Sequence, residues 1–514
     1  MTKTLIPLPT QLSELPLPLA RIDNYLDYWA DRTPDSIAGL CEGEKITHLQ
    51  LQYNVEFVAQ KLQALGARDG DTIAVLIAPS IKFLVLFLAF SKIGAKWLGL
   101  NPKYTASEIS YILSDAKPKI VLGWTGTEHA SQATPEQNFI GLECIFDFIG
   151  IAKSKHQNYF PKNDIACLVY TSGTTGKPKA AQLSHKALIR GAQVRGKIWR
   201  VSPFVTVNNV PINHVGALGD ICCTALVAGG CQVFIEKFSA AATLEAIYKN
   251  KVTYWYQAPT MFEMCMNDPM AQTIDWSNLQ AAIWSGGRAS LALIEKLSRV
   301  AKNLGVDYSM TESVGAISLT PLTRDMDLLS NSVGYPDPSR NLRIADPATC
   351  EIMPTGAEGE VQINDENMFS GYTDADANHG GFTADGWLKT GDLVTQNQDG
   401  SWRLTGRCKE MFKSGGYNVY PREIELALET HESVSQAAIV EIPNEMFGEI
   451  GIAFVVLKSQ GAGQNDLKEH CQKTLANYKI PKHFVILENM PMLPIGKIDK
   501  GQLRLLAQSI SQKV

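Results

Sequence analysis

The sequence lacks an apolar run long enough to cross a lipid bilayer. Its longest run, FLVLFLAF at 83–90, is far below the roughly 20 residues that a spanning helix needs. The N-terminus also lacks the apolar region of a secretory signal peptide, because prolines and an acidic residue interrupt MTKTLIPLPTQLSELPLPLARI. We therefore expect a chain without a transmembrane segment, located in the cytoplasm.

The ten cysteines form no recognisable framework. They are scattered, with one adjacent pair (Cys222 and Cys223) and no C-x-x-C spacing, so neither a zinc site nor a disulfide set is indicated and a reducing compartment fits best. Charge of one sign does not dominate either, since 47 Lys and Arg stand against 52 Asp and Glu, a net charge of −5. Without a basic field, neither nucleic acid nor an anionic membrane is an expected partner.

What the sequence does have is a repeated alternation of strand and helix patterns. At 514 residues, with 45% hydrophobic and 19% charged, the chain is long enough for two or more globular domains. Buried-strand patterns at 71–80, 165–170 and 279–287 alternate with helical ones, which indicates parallel sheets covered by helices. From about residue 331 the segments resemble antiparallel sheet, and a domain boundary is predicted near 407–410.

The segment YTSGTTGKPK at 170–179 is rich in hydroxyl groups, glycine and lysine. This composition suits a phosphate, because a glycine-rich turn can aim backbone N–H groups into one concavity. It is not a Walker A loop, because only two residues separate Gly173 from Gly176 and a proline follows Lys177. A polar surface hairpin is the alternative interpretation.

Further motifs follow this loop in order: NNVPINH at 208–214, YSMTE at 308–312, WLKTGD at 387–392, GRCKEMFK at 406–413, GGYNVYPREIE at 415–425 and PIGKIDK at 494–500. Together with the loop, they resemble the adenylate-forming superfamily of acyl-CoA synthetases, luciferases and peptide-synthetase adenylation domains. The resemblance covers about residues 25 to 505. It implies that a carboxylic acid attacks the α-phosphate of ATP with Mg²⁺ present, that pyrophosphate leaves, and that the thiol of coenzyme A then takes the acyl group.

The resemblance also implies an architecture. The fold would be α/β, with a large N-terminal domain of two helix-covered sheets plus a small β-barrel over residues 1–406. A smaller, mobile α+β domain would span residues 411–514, joined by a hinge at 407–410 that contains Lys409. The small domain would rotate at this hinge between adenylation and thioester formation.

By this resemblance, the opening loop would hold the β and γ phosphates of ATP. Its implied contacts are Thr171, Ser172, Gly173, Thr174, Thr175, Gly176 and Lys177. Glu312 would hold Mg²⁺, which prefers one or two carboxylates plus phosphate oxygens, and Thr311 would contact the α-phosphate. In isolation, a Thr-Glu pair is more typical of a helix start.

The nucleoside contacts come from three other motifs. Tyr308 would stack on adenine, and Gly287 with Arg288 would lie against its other face. Because Arg288 stands where a small residue is common, we hypothesise that its guanidinium stacks on the base. Asp392 would accept both ribose hydroxyls and Arg407 would add a hydrogen bond, although Asp392 could instead be a turn aspartate at a strand end.

The remaining implied roles concern the acyl transfer itself. Lys497 would reach between the acid and the nucleotide during adenylation, with a solvated lysine as the alternative, while Lys500 is given a structural role. Gly415 and Gly416 would let a pantetheine arm run close to the backbone. His214 would gate the thiol tunnel, although a satisfied core histidine remains open.

The acyl pocket is expected to follow the NNVPINH motif. Gly216 leaves room on one wall, Trp284 fills the other, and Ser309 replaces the glycine that is usual after the motif tyrosine. That combination suits an aromatic acid or a medium acyl chain. Asp220 could anchor a polar or amino group of the substrate, but a capping or solvated aspartate is favoured; the acidic stretch 364–366 has no explanation.

Several alternatives remain open at this point. The acyl acceptor could be a separate carrier protein, light emission has a low prior, and a P-loop NTPase is disfavoured by the loop spacing. A catalytically inactive adenylate-binding protein would be expected to have lost Lys497, Glu312 or Asp392, and all three are present. The sequence leaves open whether the chain forms a homodimer.

Overall fold

The computed structural model describes most of the chain. The described residues are 15–16, 18–125, 138–146, 159–171, 178–408, 410, 412–414, 417–419, 421–444, 447–458, 461–493 and 498–511. Within them, no helix combines the length and the apolar character that crossing a membrane would require. The apolar run at 83–90 lies in a helix whose residues from Phe83 to Ile93 are buried.

The helices are α1 (Ile22–Arg32), α2 (His48–Ala64), α3 (Ile81–Ile93), α4 (Ala106–Ala116), α5 (Leu142–Phe146), α6 (His185–Ile198), α7 (Thr224–Val227), α8 (Ala240–Lys249), α9 (Pro259–Met266), α10 (Leu291–Val300), α11 (Met326–Asn331), α12 (Ala375–His379), α13 (Pro421–Glu429), α14 (Gln464–Thr474) and α15 (Lys500–Ser511). A π-helix over Gly216–Cys223 runs directly into α7. Several helices have a side-chain N-cap. The Ser80 hydroxyl accepts the Phe83 N–H at the start of α3, and the Ser184 hydroxyl accepts the Ala187 N–H at the start of α6.

The strands are β1 (Ile37–Cys41), β2 (Glu44–Thr47), β3 (Thr72–Val75), β4 (Lys96–Gly99), β5 (Ile120–Gly123), β6 (Asn138–Gly141), β7 (Ile165–Thr171), β8 (Lys179–Ser184), β9 (Val205–Asn208), β10 (Cys231–Phe234), β11 (Tyr254–Gln257), β12 (Ala281–Ser285), β13 (Asn303–Met310), β14 (Gly315–Leu319), β15 (Tyr335–Pro336), β16 (Leu342–Ala345), β17 (Gly359–Ile363), β18 (Leu388–Gln396), β19 (Trp402–Arg407), β20 (Phe412–Ser414), β21 (Tyr417–Val419), β22 (Val434–Asn444), β23 (Gly448–Leu457) and β24 (His483–Leu487).

The chain divides into two compact units, the first made of Met1–Leu329 and Asp365–Gly380. It contains two largely parallel sheets. One has the order β6-β5-β3-β4-β7-β8, in which only β8 is antiparallel to its neighbour, and the other runs β14-β13-β12-β11-β9-β10-β1-β2. The alternation of strands and helices therefore produces the predicted α/β architecture of helix-covered sheets.

The second unit consists of Ser330–Asn364 and Gly381–Val514. The segment predicted as a small β-barrel forms a four-stranded antiparallel sheet in the order β16-β17-β18-β19. The C-terminal part has the sheet β21-β20-β23-β22, and β24 pairs in parallel with β23. A buried cluster that includes Ile424, Leu428 and Leu467 joins α13 and α14 to this sheet. The boundary at 407–410 and the rotation there remain predictions.

Candidate active site

Several of the predicted site residues lie outside the described residues. They are Ser172, Gly173, Thr174, Thr175, Gly176, Lys177, Lys409, Gly415, Gly416 and Lys497. The strands on either side of the predicted phosphate loop are described, and β7 and β8 pair antiparallel with Thr171 opposite Lys179. Thr171, the first residue of the predicted loop, is therefore also the last residue of the regular strand β7.

Glu312, the predicted Mg²⁺ ligand, is a buried carboxylate in the first unit. It follows β13 in a tight turn in which the Ser313 hydroxyl donates to the carbonyl oxygens of Met310 (2.9 Å) and Gly315 (2.6 Å). Its side chain is buried, with 6% exposure, and the Thr171 hydroxyl donates to its Oε1 at 3.2 Å. The predicted metal ligand and the first residue of the predicted phosphate loop are therefore in contact.

Tyr372 completes this arrangement and was missed by the sequence interpretation. Its hydroxyl donates to the Glu312 Oε1 at 2.7 Å. Burial, and then the Glu312 carboxylate, raise the pKa of Tyr372 above its ordinary value, so the phenol remains a neutral donor at physiological pH. An aromatic residue after Gly371 was the available signal, but nothing in its spacing tied it to YSMTE.

The segment 365–380 carries Tyr372 to this position. Ser370 N–H donates to the Gln182 carbonyl at 2.8 Å, Gln182 N–H donates to the Gly371 carbonyl at 3.0 Å, and Phe369 N–H donates to the Glu312 carbonyl at 2.9 Å. The backbone of the segment is thereby fixed to β8 and to the Glu312 turn at once.

The acidic stretch 364–366 now has an explanation. The Asp365 carboxylate accepts the Asn367 N–H at 2.7 Å, which forms a local turn. Glu366 forms an exposed ion pair with Lys186 at 3.0 Å. Asp365 therefore shapes the entry to the segment that carries Tyr372, and Glu366 adds only an exposed ion pair.

The oxygen-rich set around Glu312 fits Mg²⁺. Among the described residues, no three His, Cys, Asp or Glu side chains cluster as an all-protein metal site would require. A single buried carboxylate with hydroxyl neighbours suits a hard cation that takes its other ligands from phosphate and water. Glu312 is the residue that would hold the ion, and Thr171 and Tyr372 would fix the carboxylate's orientation.

The predicted adenine contacts lie on neighbouring strand ends. Tyr308 is buried near the end of β13, while Ser309 Oγ and Ser285 Oγ lie 3.3 Å apart across β13 and β12. Gly286 has φ of +78°, which only glycine adopts without strain, and it turns the chain after β12. Gly287 and Arg288 follow in an exposed position. Stacking of Arg288 on adenine remains a prediction.

His214 is half-buried, and its ring nitrogen Nδ1 accepts a hydrogen bond from the backbone. Its Nδ1 accepts the Gly216 N–H at 3.1 Å, so a neutral ring carries its proton on Nε2. A Cβ at position 216 would lie 3.1 Å from this nitrogen. Gly216 therefore permits the close approach of the ring, beyond leaving room on a pocket wall.

Asp220 is neither a cap nor a solvated residue, so that preferred interpretation is wrong. It lies inside the π-helix, where Arg195 Nη2 approaches its Oδ1 at 2.7 Å and Tyr256 OH donates to its Oδ2 at 3.2 Å. Arg195 Nε also donates to the Asp307 Oδ2 at 2.9 Å, and Tyr256 OH lies 2.9 Å from the same oxygen, so its one proton is shared between the two carboxylates. The result is a buried cluster of one guanidinium and two carboxylates.

This cluster changes the titration of Asp220. Burial raises the pKa of Asp220 to about 6, with Arg195 opposing the rise and Asp307 adding to it. One guanidinium cannot fully compensate two carboxylates that water does not reach. Sequence analysis could not find the cluster, because its members come from α6, the π-helix, β11 and β13.

Trp284 lies in the core, which corrects its predicted place on the acyl-pocket wall. Its side chain is 1% exposed and belongs to a buried cluster with Trp255 and Phe262. Its neighbour Ile283 belongs with Tyr256 to a cluster on the other side of the sheet, as the alternation of side chains along a strand requires. The indole thus faces away from the side that carries Asp220.

Asp392 and Arg407 pair within the second unit. They lie opposite each other on β18 and β19, and Arg407 Nε approaches the Asp392 Oδ1 at 2.7 Å. Asp392 is buried in the interior of β18, which excludes the turn at a strand end. Gly391 has φ of +74°, and its N–H donates to the Glu360 carboxylate at 2.9 Å. The two predicted ribose contacts are therefore neighbours held by one ladder.

Comparison with known proteins agrees with this geometry. Residues 26–373 match the AMP-binding enzyme family, and residues 423–497 match the AMP-binding enzyme C-terminal domain. A 4-coumarate–CoA ligase of Humulus lupulus is 30% identical over 90% of this chain and 89% of its own length. A feruloyl-CoA synthase of an Amycolatopsis species is 28% identical over 92% of this chain and 96% of its own.

A solved structure shows the same fold. The o-succinylbenzoate–CoA synthetase of Bacillus subtilis, in complex with ATP and magnesium ion, has a TM-score of 0.82 at 26% identity and covers 94% of this chain and 99% of its own. The chain belongs to the AMP-binding enzymes of the adenylate-forming superfamily. Within that superfamily it is an AMP-forming acyl-CoA synthetase, a ligase that joins a carboxylic acid to CoA and uses ATP with Mg²⁺.

Proposed function

We propose that this ligase activates an aromatic or medium-chain carboxylic acid, with the Glu312 site as the seat of the Mg²⁺–triphosphate. The observation that carries the proposal is the hydrogen bond from Thr171, at the entry of the predicted phosphate loop, to the buried Glu312 carboxylate. The Thr171–Glu312 hydrogen bond would then keep the phosphate loop next to the Mg²⁺ that binds the phosphates. Thr311, next to Glu312, would contact the α-phosphate.

The chemistry follows from the charges involved. The acid's carboxylate and the triphosphate repel each other, so positive charge and N–H donors must neutralise the developing charge as pyrophosphate leaves. Mg²⁺ on Glu312, the loop 172–177 and Lys497 would supply them. Tyr308, Arg288 and Asp392 with Arg407 would hold the nucleoside, and Gly415 with Gly416 would admit the pantetheine arm.

The acid is proposed from the residues around His214 and from the relatives. Gly216 removes a side chain beside the imidazole, and Ser309 lies close to Ser285 on the neighbouring strand end. Because Trp284 lies in the core, its ring is no longer an argument for an aromatic substrate. That support comes instead from similarity to enzymes named for 4-coumarate and ferulate.

Pyrophosphate release with ATP and Mg²⁺, measured across fatty, aromatic and amino acids with and without CoA, tests the proposal. Mass spectrometry of the products should find a CoA thioester with an aromatic or medium-chain acid. Release that stops at acyl-adenylate would favour a carrier protein as acceptor. Binding of ATP without release for any acid would favour the inactive adenylate-binding alternative.

Site variants make the test specific. Glu312→Gln should slow pyrophosphate release by about 10²–10³-fold, the scale of losing one preorganised electrostatic group, and Lys497→Met should do the same. Glu366→Gln is the matched control, because this exposed carboxylate lies near the same segment but pairs with Lys186. Equal activity of the Glu312 variant and this control would contradict the assignment.

Location and assembly belong to the proposal as well. The sequence favours the cytoplasm, and cell fractionation with an antibody against the chain would test this. Whether it forms a homodimer is answered by its molar mass in solution from light scattering.

A further inference from the structure

Lys500 joins two carboxylates of the second unit. Its Nζ lies 2.5 Å from Glu410 Oε2 and 2.9 Å from Glu425 Oε1. The Lys500 side chain is 19% exposed and that of Glu425 5%, so the group is largely shielded from water. Burial alone would lower the pKa of Lys500, but the two carboxylates outweigh it and raise the pKa, so the charge is retained.

The Lys500–Glu410 ion pair connects the predicted hinge with the start of α15, two segments for which the sequence predicted no contact. Glu410 directly follows Lys409, the predicted hinge residue, and Lys500 is the first residue of α15. Residues 491–492, before the segment 494–497, pair with residues 498–499, after it and next to Lys500. Met492 bridges Ile498, and Asp499 N–H donates to the Pro491 carbonyl at 2.9 Å.

We propose that Lys500 is a positioning residue for adenylation. It fastens the base of the segment that carries Lys497 to Glu410, the last residue of the predicted hinge, so that the two move as one body. This inference rests on the proposed function, because it assumes that Lys497 serves the first half-reaction. It replaces the purely structural role that the sequence suggested for Lys500.

The other partners of the two carboxylates indicate which of the two contacts would be lost without Lys500. Glu425 has two further partners, since Arg422 Nη1 donates to it at 3.1 Å and it accepts the Ile439 N–H at 3.0 Å. Without Lys500, Glu425 would remain held by Arg422 and the Ile439 N–H, whereas Glu410 would lose its direct ion pair and keep only the more distant charge of Arg504. The hinge side would therefore separate from the base of the 494–497 segment while the C-terminal core stays folded.

The test separates the two half-reactions in the full-length enzyme. Acid-dependent pyrophosphate release reports the first, and CoA thioester formation from added acyl-adenylate reports the second. Lys500→Met should slow the first about 10–100-fold, as misplacement of a reacting group does, and change the second by less than about threefold. Lys500→Arg should recover most of the first rate, since it retains a charge that can reach both carboxylates.

Arg504→Met is the matched control. Arg504 lies one turn further along α15, and its Nε pairs with Glu441 at 2.7 Å. Both half-reactions should stay near the wild-type rate. If Lys500→Met lowers solubility or the melting temperature, Glu410→Gln gives the same test, because it leaves the Lys500–Glu425 pair intact.

The outcomes are distinguishable. Equal slowing of both half-reactions, or a Lys500→Met enzyme that behaves like Arg504→Met, would overturn the positioning role. A wild-type enzyme that releases no pyrophosphate with any acid would instead overturn the proposed function. A selective loss in the first half-reaction with rescue by arginine supports the inference.

Discussion

The buried Arg195–Asp220–Asp307 cluster predicts a dependence of stability on pH that Asp220 controls. The pKa of Asp220 is about 6 in the folded chain, against 3.8 for the ordinary group. Between these values the folded state binds a proton that the unfolded state does not, so lowering the pH through this window stabilises the fold. The penalty for the ionised carboxylate is present above about pH 6 and is relieved below it.

The size of the effect follows from the shift. Between about pH 8 and about pH 5, the linkage relation gives a gain on the order of 1 kcal/mol in the free energy of unfolding from this one group. Asp220→Asn removes the titration but keeps an oxygen that can accept from Tyr256. The wild type should therefore gain on the order of 1 kcal/mol relative to Asp220→Asn over this range.

Urea unfolding followed by tryptophan fluorescence at the two pH values measures this difference. Asp35→Asn removes an exposed carboxylate and controls for a general loss of charge. The reasoning would be refuted if the wild type and Asp220→Asn shifted equally with pH. That result would mean that Arg195 keeps Asp220 ionised throughout and outweighs the effect of burial.

Three further predictions concern single side chains. Tyr372→Phe removes a hydrogen bond to Glu312 and should weaken Mg²⁺-dependent activity about 10–100-fold, as loss of a residue that orients a metal ligand does; a magnesium titration of pyrophosphate release measures it, and an unchanged titration would contradict the role. Trp284→Ala should lower the free energy of unfolding by about 3–5 kcal/mol through the cavity it leaves, and a loss of acid affinity without a loss of stability in urea would return Trp284 to the pocket. His214→Asn, which keeps an acceptor near Nδ1 for Gly216, should preserve the melting temperature better than His214→Gln, and the reverse order would show that Nε2 is the structural end of the ring.

The class of fold could be predicted from the sequence. Short contiguous motifs also identified Thr171, Glu312, Asp392 and Arg407 as candidate site residues, and the structure brings Thr171 to Glu312 and Arg407 to Asp392. YSMTE places Glu312 at a strand end whatever the distant contacts are, and continuous apolar runs within 71–80 and 165–170 mark buried strands. Tyr372 could not be assigned, since its position depends on pairing between segments almost two hundred residues apart. Trp284 was misplaced because alternation along β12 tells which residues share a face but not which face meets the substrate.

The Asp220 cluster was hidden for the same physical reason. A lone aspartate in a sequence is normally solvated, and only the approach of Arg195 and Tyr256 reveals that water has been replaced by ionic and hydrogen-bonding partners. The surroundings of a motif thus depend on packing between distant segments, which the motif itself does not encode.

The interleaving of the two compact units limits how this protein can be cut. The first unit takes residues 365–380 from beyond the point where the second unit has begun. A fragment that ends at residue 329 would lack Tyr372 and the backbone partner of the Glu312 carbonyl, leaving the edge of β8 at 180–182 without its pairing segment. A fragment that keeps the Glu312 carboxylate together with Thr171 and Tyr372 would require residue 329 to be spliced to residue 365, and proteolysis at a single loop would not release it.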